Sequence, residues 1–277
     1  MPMKLMLITN QPDIAQEAQS AGIDRIFVDL EILGKKERQG LLDTVISSHT
    51  IEDISEIRKV LTSSDLFVRI NPIHDRTEYE VSEAVSRGAD IIMLPMFKTA
   101  EEVELFVKQV NKRATTSLLL ETTQAMVRVD EILEVEGIDE IHIGLNDLHL
   151  GMGLDFMFEL LSGGIIDYLC EKIKSKGIRF GFGGIARIGQ GTLPADMILA
   201  EHYRLGSEMV ILSRDFHGRA TTLKELRNNL DMSKEVSQIR ALEKTFEATD
   251  AKWFLENQIR VKEMVKSLVT KKDNENR

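Results

Sequence analysis

The chain has 277 residues, of which 43% are hydrophobic and 29% charged, and its net charge is −10. This acidic balance argues against a nucleic-acid surface, so small molecules are the expected partners. A single cysteine, Cys170, excludes an internal disulfide. No apolar run approaches the length of a membrane span, so we expect a cytoplasmic protein without a membrane partner.

Short apolar runs alternate with amphipathic segments through most of the chain. The runs predict eight strands, at residues 4–9, 25–30, 66–70, 91–94, 117–120, 140–143, 179–182 and 209–212. Regular alternation of strand and helix favours a parallel sheet, and eight such units predict an α/β fold of the (β/α)8 TIM-barrel type. We assign residues 1–220 to this barrel, which we expect to be the catalytic domain.

The remaining residues predict additional C-terminal helices. Residues 221–270 have helical periodicity and more apolar surface than one closing helix needs. Either these helices pack on their own barrel, or they cross to a neighbouring subunit. Residues 271–277 are charged and are expected to be a disordered tail.

Two acids lie where apolar strands end. Glu121 directly follows the fifth strand, and Asp147 lies in a predicted glycine-containing loop after the sixth. Mg²⁺ commonly uses one or two carboxylates and leaves its other positions to water and substrate oxygens. The pair is therefore a candidate metal site. The alternative is that both acids cap helices or solvate a loop.

Three further charged residues, Asp29, Glu31 and Arg69, also end predicted strands. TIM-barrel active sites form at these strand ends, so the three should converge with Glu121 and Asp147. Four carboxylates at one mouth predict a bound cation, because like charges at close range are costly. The alternatives are a purely structural pair between Arg69 and a carboxylate, and opposite orientations of Asp29 and Glu31, with one bracing the barrel.

Five motifs occur in a fixed order along the chain: VDLE at 28–31, VRINP at 68–72, GADIIMLPM at 88–96, LET at 120–122 and IGLNDL at 143–148. In order and spacing they resemble the HpcH/HpaI aldolase and citrate lyase family over residues 25–213. The resemblance implies a metal-dependent class II aldolase or an acyl-CoA lyase on a pyruvate-type TIM barrel. It also implies a homo-oligomer, a trimer or hexamer, with exchanged C-terminal helices.

The same resemblance implies roles for individual residues. Glu121 and Asp147 would bind Mg²⁺ or Mn²⁺, which pyruvate chelates through its carboxylate and C2 keto oxygen. The cation acts as a Lewis acid, and Arg69 donates to the same oxygen. The pyruvate carboxylate is expected on backbone N–H groups at Gly144, Asn146 or Met96.

The residue at the position of the family's general base differs from the family pattern. The aldolases have a histidine directly after the second-strand glutamate, and the acyl-CoA lyases have an aspartate in this region, but here the residue is Ile32. His49, His74 and His149 are the substitutes, and His49 is preferred because it follows a polar stretch at 34–40, which we expect to be a functional loop. A metal-bound water is the other candidate.

Arg187 ends a glycine-rich segment, residues 181–187, after the seventh strand. TIM barrels frequently bind phosphate here, so Arg187 is a candidate to bind a phosphate or carboxylate on the aldehyde. The alternative is that the glycines only permit a crowded turn.

The predicted function is that of an Mg²⁺- or Mn²⁺-dependent lyase. It would make or cleave the C–C bond between pyruvate and an aldehyde, acting on a 4-hydroxy-2-oxo acid. One alternative is an acyl-CoA lyase of the citryl or malyl type, which Ile32 disfavours. Another is a non-catalytic barrel used as a binding or scaffold subunit, which leaves Glu121, Asp147 and Arg69 unexplained.

Overall fold

The strands of the computed structural model, which describes residues 2–34 and 49–275, close into a parallel barrel. They are β1 Lys4–Ile8, β2 Arg25–Asp29, β3 Asp65–Arg69, β4 Ile91–Leu94, β5 Thr115–Leu120, β6 Glu140–Ile143, β7 Arg179–Ile185 and β8 Met209–Leu212. Each strand pairs with the next, and β8 pairs with β1. The predicted (β/α)8 barrel is confirmed. The predicted functional loop at 34–40 lies, beyond Gly34, outside the described residues.

Helices surround the barrel. Their bounds are α1 Pro12–Ser20, α2 Ile51–Val60, α3 Thr77–Ser86, α4 Ala100–Val110, α5 Thr123–Val127, α6 Val129–Ile132, α7 Leu145–Gly151, α8 Glu159–Ser162, α9 Ile165–Ser175, α10 Ala195–Leu205, α11 Leu223–Asn229, α12 Met232–Glu247 and α13 Ala251–Glu275. Thr99 caps α4, and its side chain accepts from the Glu102 N–H. Asp75 and Glu78 have the spacing of a capping box, which predicts a helix that starts at Asp75. That prediction is wrong, because α3 begins at Thr77, whose hydroxyl accepts from the His74 N–H and donates to the His74 carbonyl.

Inward-facing side chains fill the lower barrel. A buried apolar layer consists of Met6, Phe27, Phe67, Ile91, Met93, Leu119 and Met209. At the N-terminal strand ends, Arg25 on β2 donates two 2.8 Å hydrogen bonds to Glu140 on β6. Because an ion pair and apolar side chains occupy this end, a ligand can bind at the opposite mouth.

The C-terminal helices pack on the barrel of the same chain. Arg240 on α12 donates to the Met3 carbonyl at 2.8 Å and to Asp24 at 2.9 Å. Buried Asn257 on α13 donates to Glu201 on α10 at 2.8 Å. Exchange of these helices between subunits stays a prediction, and α13 continues through residue 275 of the expected tail. Within the described ranges, none of the helices has the length and hydrophobicity needed to span a bilayer.

Candidate active site

Asp29 and Arg69 form the first part of the site, at the mouth of the barrel. They pair in register on β2 and β3, two positions beyond the inward-facing Phe27 and Phe67, so they point to the same interior. Arg69 Nε and Nη2 each lie 2.8 Å from a carboxylate oxygen of Asp29, and Nη1 lies 3.4 Å from Glu31. Asp29 and Glu31 therefore both contact the arginine, and the alternative of opposite orientations is wrong.

Glu121 and Asp147 form the second part. They line a cavity of about 390 Å³ whose other lining residues are Met96, Lys98, Thr122, Thr123, Gln124, Leu150 and Gly151. Glu121 is 4% exposed and accepts a hydrogen bond from the Met96 N–H at 3.2 Å. Burial and then Asp147 raise the pKa of the Glu121 carboxyl well above its ordinary value, which Arg69 partly opposes. The charged form of Glu121 is therefore costly in this site, and a bound cation would offset that cost.

Gly144 and the helix after it position Asp147. The predicted loop is wrong, because α7 begins at Leu145 and places Asp147 and Asn146 in its first turn. A Cβ atom on Gly144 would lie 2.7 Å from Glu121 Cβ and 2.8 Å from its Oε2. Glycine is therefore required here so that the backbone can approach the Glu121 side chain.

His49 lies against the site. Its Nδ1 accepts a 2.9 Å hydrogen bond from the backbone N–H of Asp29. A neutral imidazole that accepts at Nδ1 carries its proton on Nε2. In this geometry His49 therefore cannot accept a proton at Nε2. A role as general base would require the ring to give up the contact with Asp29.

The other two candidate bases have structural contacts. His74 Nδ1 lies 2.8 Å from the Thr77 hydroxyl at the start of α3. His149 is buried within α7, with Nδ1 3.2 Å from the Leu145 carbonyl. Neither residue lines the cavity that contains the acid pair.

Ile32, at the position of the expected base, is 53% exposed. Its backbone N–H and that of Leu33 both donate to the Asn71 amide oxygen, at 2.9 and 3.0 Å. Asn71 in turn donates to Glu80 at 2.6 Å. The segment after β2 is thus held through its backbone, and the Ile32 side chain supplies no titratable group.

Two predicted substrate-binding residues have other partners. Arg187 Nη1 donates to the Asn229 carbonyl at 3.1 Å, and the residue does not line the cavity. Met96 adopts a left-handed backbone with a φ of 55°, and its N–H donates to Glu121. Binding of an anion by either residue stays a prediction, as it does for the N–H groups of Gly144 and Asn146.

Two residues of the barrel mouth and interior were not predicted. Lys98 lines the cavity, although a lysine after a strand gives no signal of function in a sequence. His142 on β6 is buried below the mouth, where its Nε2 donates to the Gly183 carbonyl at 2.9 Å. Its place between Ile141 and Ile143 is the only sequence signal for an inward position.

The acid pair is the candidate site for a divalent cation. No group of three or more His, Cys, Asp or Glu side chains in the described ranges is arranged to hold a metal ion. Glu121 and Asp147 would then supply two carboxylates, and oxygens of small molecules would complete the coordination, as is usual for Mg²⁺. Arg69 offsets the charge of Glu121 only in part, because its two shortest hydrogen bonds are to Asp29.

The fold and the site define a TIM barrel with paired acids at the C-terminal ends of its strands. The family described as HpcH/HpaI aldolase/citrate lyase matches residues 3–156, more than half of the chain. The protein belongs to this family of carbon–carbon lyases and aldolases. A search of curated proteins gave no match.

Solved structures show the same fold. An HpcH/HpaI aldolase from Desulfitobacterium hafniense DCB-2 has a TM-score of 0.59 and 17% identity, over 76% of this chain and 86% of that chain. The citrate synthase SbnG has a TM-score of 0.61 and 17% identity, over 79% and 89%. A family protein from Burkholderia cenocepacia J2315 has a TM-score of 0.62 and 16% identity, over 82% and 95%.

Proposed function

We propose that the protein is a divalent-cation-dependent lyase that makes or cleaves the C–C bond between pyruvate and an aldehyde. The observation that carries this proposal is the buried Glu121 carboxyl beside Asp147, in a cavity at the barrel mouth. Membership in a family of aldolases and lyases supports carbon–carbon bond chemistry. The substrate of the cleavage direction is then a 4-hydroxy-2-oxo acid.

Glu121 and Asp147 would hold Mg²⁺ or Mn²⁺, which when bound supplies Lewis-acid stabilisation of negative charge on the C2 oxygen of pyruvate. Arg69 adds a fixed positive charge. Asp29 holds its Nε and Nη2 atoms, which leaves the more loosely held Nη1 as the donor to a substrate oxygen. A planar donor fixed in advance favours the charged state of that oxygen over the neutral ketone.

His49 acts in this proposal as a positioning residue. By accepting from the Asp29 backbone N–H, its ring fixes the end of β2. Asp29 in turn orients the Arg69 guanidinium. The proton removed from the pyruvate methyl group passes to solvent and is replaced from solvent, so it exchanges even without an aldehyde.

The test is exchange of the pyruvate C3 protons in D₂O, followed by NMR with Mg²⁺ or Mn²⁺. Exchange should require the metal and fall about 100-fold or more in Glu121→Gln. Glu136→Gln, which changes an exposed acid outside the cavity lining, is the matched control and should retain exchange. Folded native protein that gives no exchange with any divalent cation overturns the proposal.

The same experiment separates the alternatives. An acyl-CoA lyase of the citryl or malyl type would exchange the protons beside a thioester carbonyl and leave pyruvate unchanged. A non-catalytic barrel would exchange neither. Among the described residues that line the cavity, Lys98 is the one cation, which is a small basic surface for the phosphates of CoA.

A further inference from the structure

Strand β7 contains a bulge near the acid pair. Gly181 pairs with Met209 on β8. Gly184 pairs with Ile211, so three steps along β7 match two steps along β8. The extra residue falls between the two glycines, and Gly183 there has a left-handed backbone, with a φ of 51°. A bulge of this kind bends its strand and is common next to active sites.

The side chain of His142 holds this bulge from the neighbouring strand. His142 on β6 pairs in register with Gly181, and its Nε2 donates to the Gly183 carbonyl at 2.9 Å. His142 is 1% exposed, so this bond lies away from water, where a hydrogen bond is stronger. A bulge interrupts the pairing of the sheet, and the imidazole supplies a partner to the carbonyl at the interruption. One side chain thus fixes the geometry of the bulge.

The bulge contacts the start of α7. A Cβ atom on Gly183 would lie 2.7 Å from Leu145 Cδ1 and 3.1 Å from its Cγ. Leu145 is buried and is the first residue of α7, two residues before Asp147. The leucine side chain therefore lies directly on the backbone of Gly183. Because this contact is so close, a movement of the bulge would move the first turn of α7.

The start of α7 is held on two sides. On the side of β5, the backbone of Gly144 approaches the Glu121 side chain so closely that a Cβ atom would lie 2.8 Å from Oε2. On the side of β7, Leu145 contacts Gly183. Strands β5 and β7 are the two neighbours of β6 in the barrel. The position of Asp147 relative to Glu121 thus depends on both contacts.

We propose that His142, through the β7 bulge, positions the Asp147 carboxylate for the cation. This inference rests on the proposed function, which assigns a cation to Glu121 and Asp147. His142 does not line the cavity, so it is a positioning residue that acts through the backbone of Gly183 and through Leu145. Substitution of residues that orient the ligands of a metal typically lowers metal affinity about 10- to 100-fold.

The test measures Mn²⁺ dissociation constants by electron paramagnetic resonance in native protein and in folded variants. His142→Leu, which cannot donate, should weaken binding about tenfold. His142→Gln, which can donate to the Gly183 carbonyl, should restore most of the affinity. Gly183→Ala should also weaken binding about tenfold, because its methyl group would collide with Leu145. Native affinity in His142→Leu overturns the proposal, and so does an equal loss in His142→Gln.

Gly177→Ala is the matched control for Gly183→Ala. Gly177 precedes β7 and also has a left-handed backbone, with a φ of 69°. It is exposed, and a Cβ atom there would have no neighbour within 4 Å among the described residues. The substitution thus adds similar backbone strain without a collision. Its Mn²⁺ affinity should equal that of native protein, and a loss as large as in Gly183→Ala would overturn the proposed path through Leu145.

Hydrogen exchange of α7 separates failure of this inference from failure of the cation proposal. Without metal, a peptide spanning residues 145–151 should take up deuterium faster in His142→Leu than in native protein or His142→Gln, while a peptide from α4 should be unchanged. Faster exchange confined to α7 retains the positioning role even if native protein binds no Mn²⁺. Exchange of α7 at the native rate, or an equal rise throughout the barrel, overturns this role even if pyruvate protons exchange.

Discussion

Asp29 and Arg69 stand opposite each other in the register of β2 and β3, and two parallel N–H···O bonds of 2.8 Å join their side chains. Burial alone would lower the pKa of Arg69, but Asp29, followed by Glu31 and Glu121, raises it above the ordinary value. The guanidinium is therefore always charged, and strand pairing fixes the direction of its donors.

Arg69→Lys should lower pyruvate proton exchange about 100-fold while the protein stays folded. Lysine keeps the charge but cannot make the paired bonds to Asp29 that orient the donor. The measurement is the exchange rate together with the melting temperature. Arg58→Lys is the control, since Arg58 makes a 2.8 Å pair with Asp90 that is partly exposed. Native-like exchange in Arg69→Lys would contradict a role in stabilising the oxyanion.

Asp147→Asn and Glu121→Gln should each weaken Mn²⁺ binding tenfold or more, because each removes half of the proposed carboxylate pair. Free Mn²⁺ measured by electron paramagnetic resonance gives the dissociation constants directly. Glu136→Gln should bind Mn²⁺ like native protein. Equal affinity in all four proteins would mean that the ion binds elsewhere.

His49→Gln tests the positioning role, since a glutamine oxygen can also accept from the Asp29 N–H. We expect exchange within about tenfold of native protein, because a hydrogen bond to the backbone is retained, and an unchanged pH–rate profile. His49→Phe, which cannot accept, should be slower. His74→Gln, at the start of α3, is the control. Loss of exchange in His49→Gln, with loss of the acid limb of the profile, would instead identify His49 as the base.

His142 makes stability depend on pH. Burial, together with the charges of Arg25 and Arg69 and opposed by the bond to the Gly183 carbonyl, lowers its pKa to about 4. Between an ordinary value of about 6.5 and 4, the unfolded chain binds a proton that the folded chain does not. The free energy of unfolding should therefore fall as the pH decreases through this window, by at most about 3 kcal/mol.

His142→Gln keeps a donor for the Gly183 carbonyl but does not titrate, so calorimetric melting temperatures from pH 7.5 to 4.5 should vary less than in native protein. Buried His202, whose pKa is lowered by burial and then by His142, contributes a similar pH dependence in both proteins. Parallel curves for the two proteins would show that His142 does not contribute.

The barrel could be predicted because each buried parallel strand is a short apolar run, and all eight runs became strands. The approach of Asp29, Arg69, Glu121 and Asp147 to one mouth followed from the same topology. The helix around Asp147 was missed because Gly144 suggested a loop. Gly144 is instead required because any side chain there would collide with Glu121, which lies 23 residues earlier in the chain. No local sequence pattern indicates such a contact.

Lys98 and the orientation of His49 could not be predicted for a related reason. Lys98 lies at the cavity because its segment is held by contacts with Glu121 and Arg128, which are both distant in sequence. The tautomer of His49 depends on which nitrogen meets the Asp29 N–H, and residue identity alone does not specify this. Periodicity and motif spacing therefore cannot predict roles that depend on individual hydrogen bonds.

Arg25 and Glu140 bridge the interior between β2 and β6, strands on opposite sides of an eight-stranded ring. This ion pair holds β2 and β6 at a fixed separation across the base of the barrel. Glu31 and Arg69 lie above the β2 end of the ion pair, and α7 with Asp147 lies above the β6 end. The gap that a substrate must fit is thus set partly by two residues that it never touches.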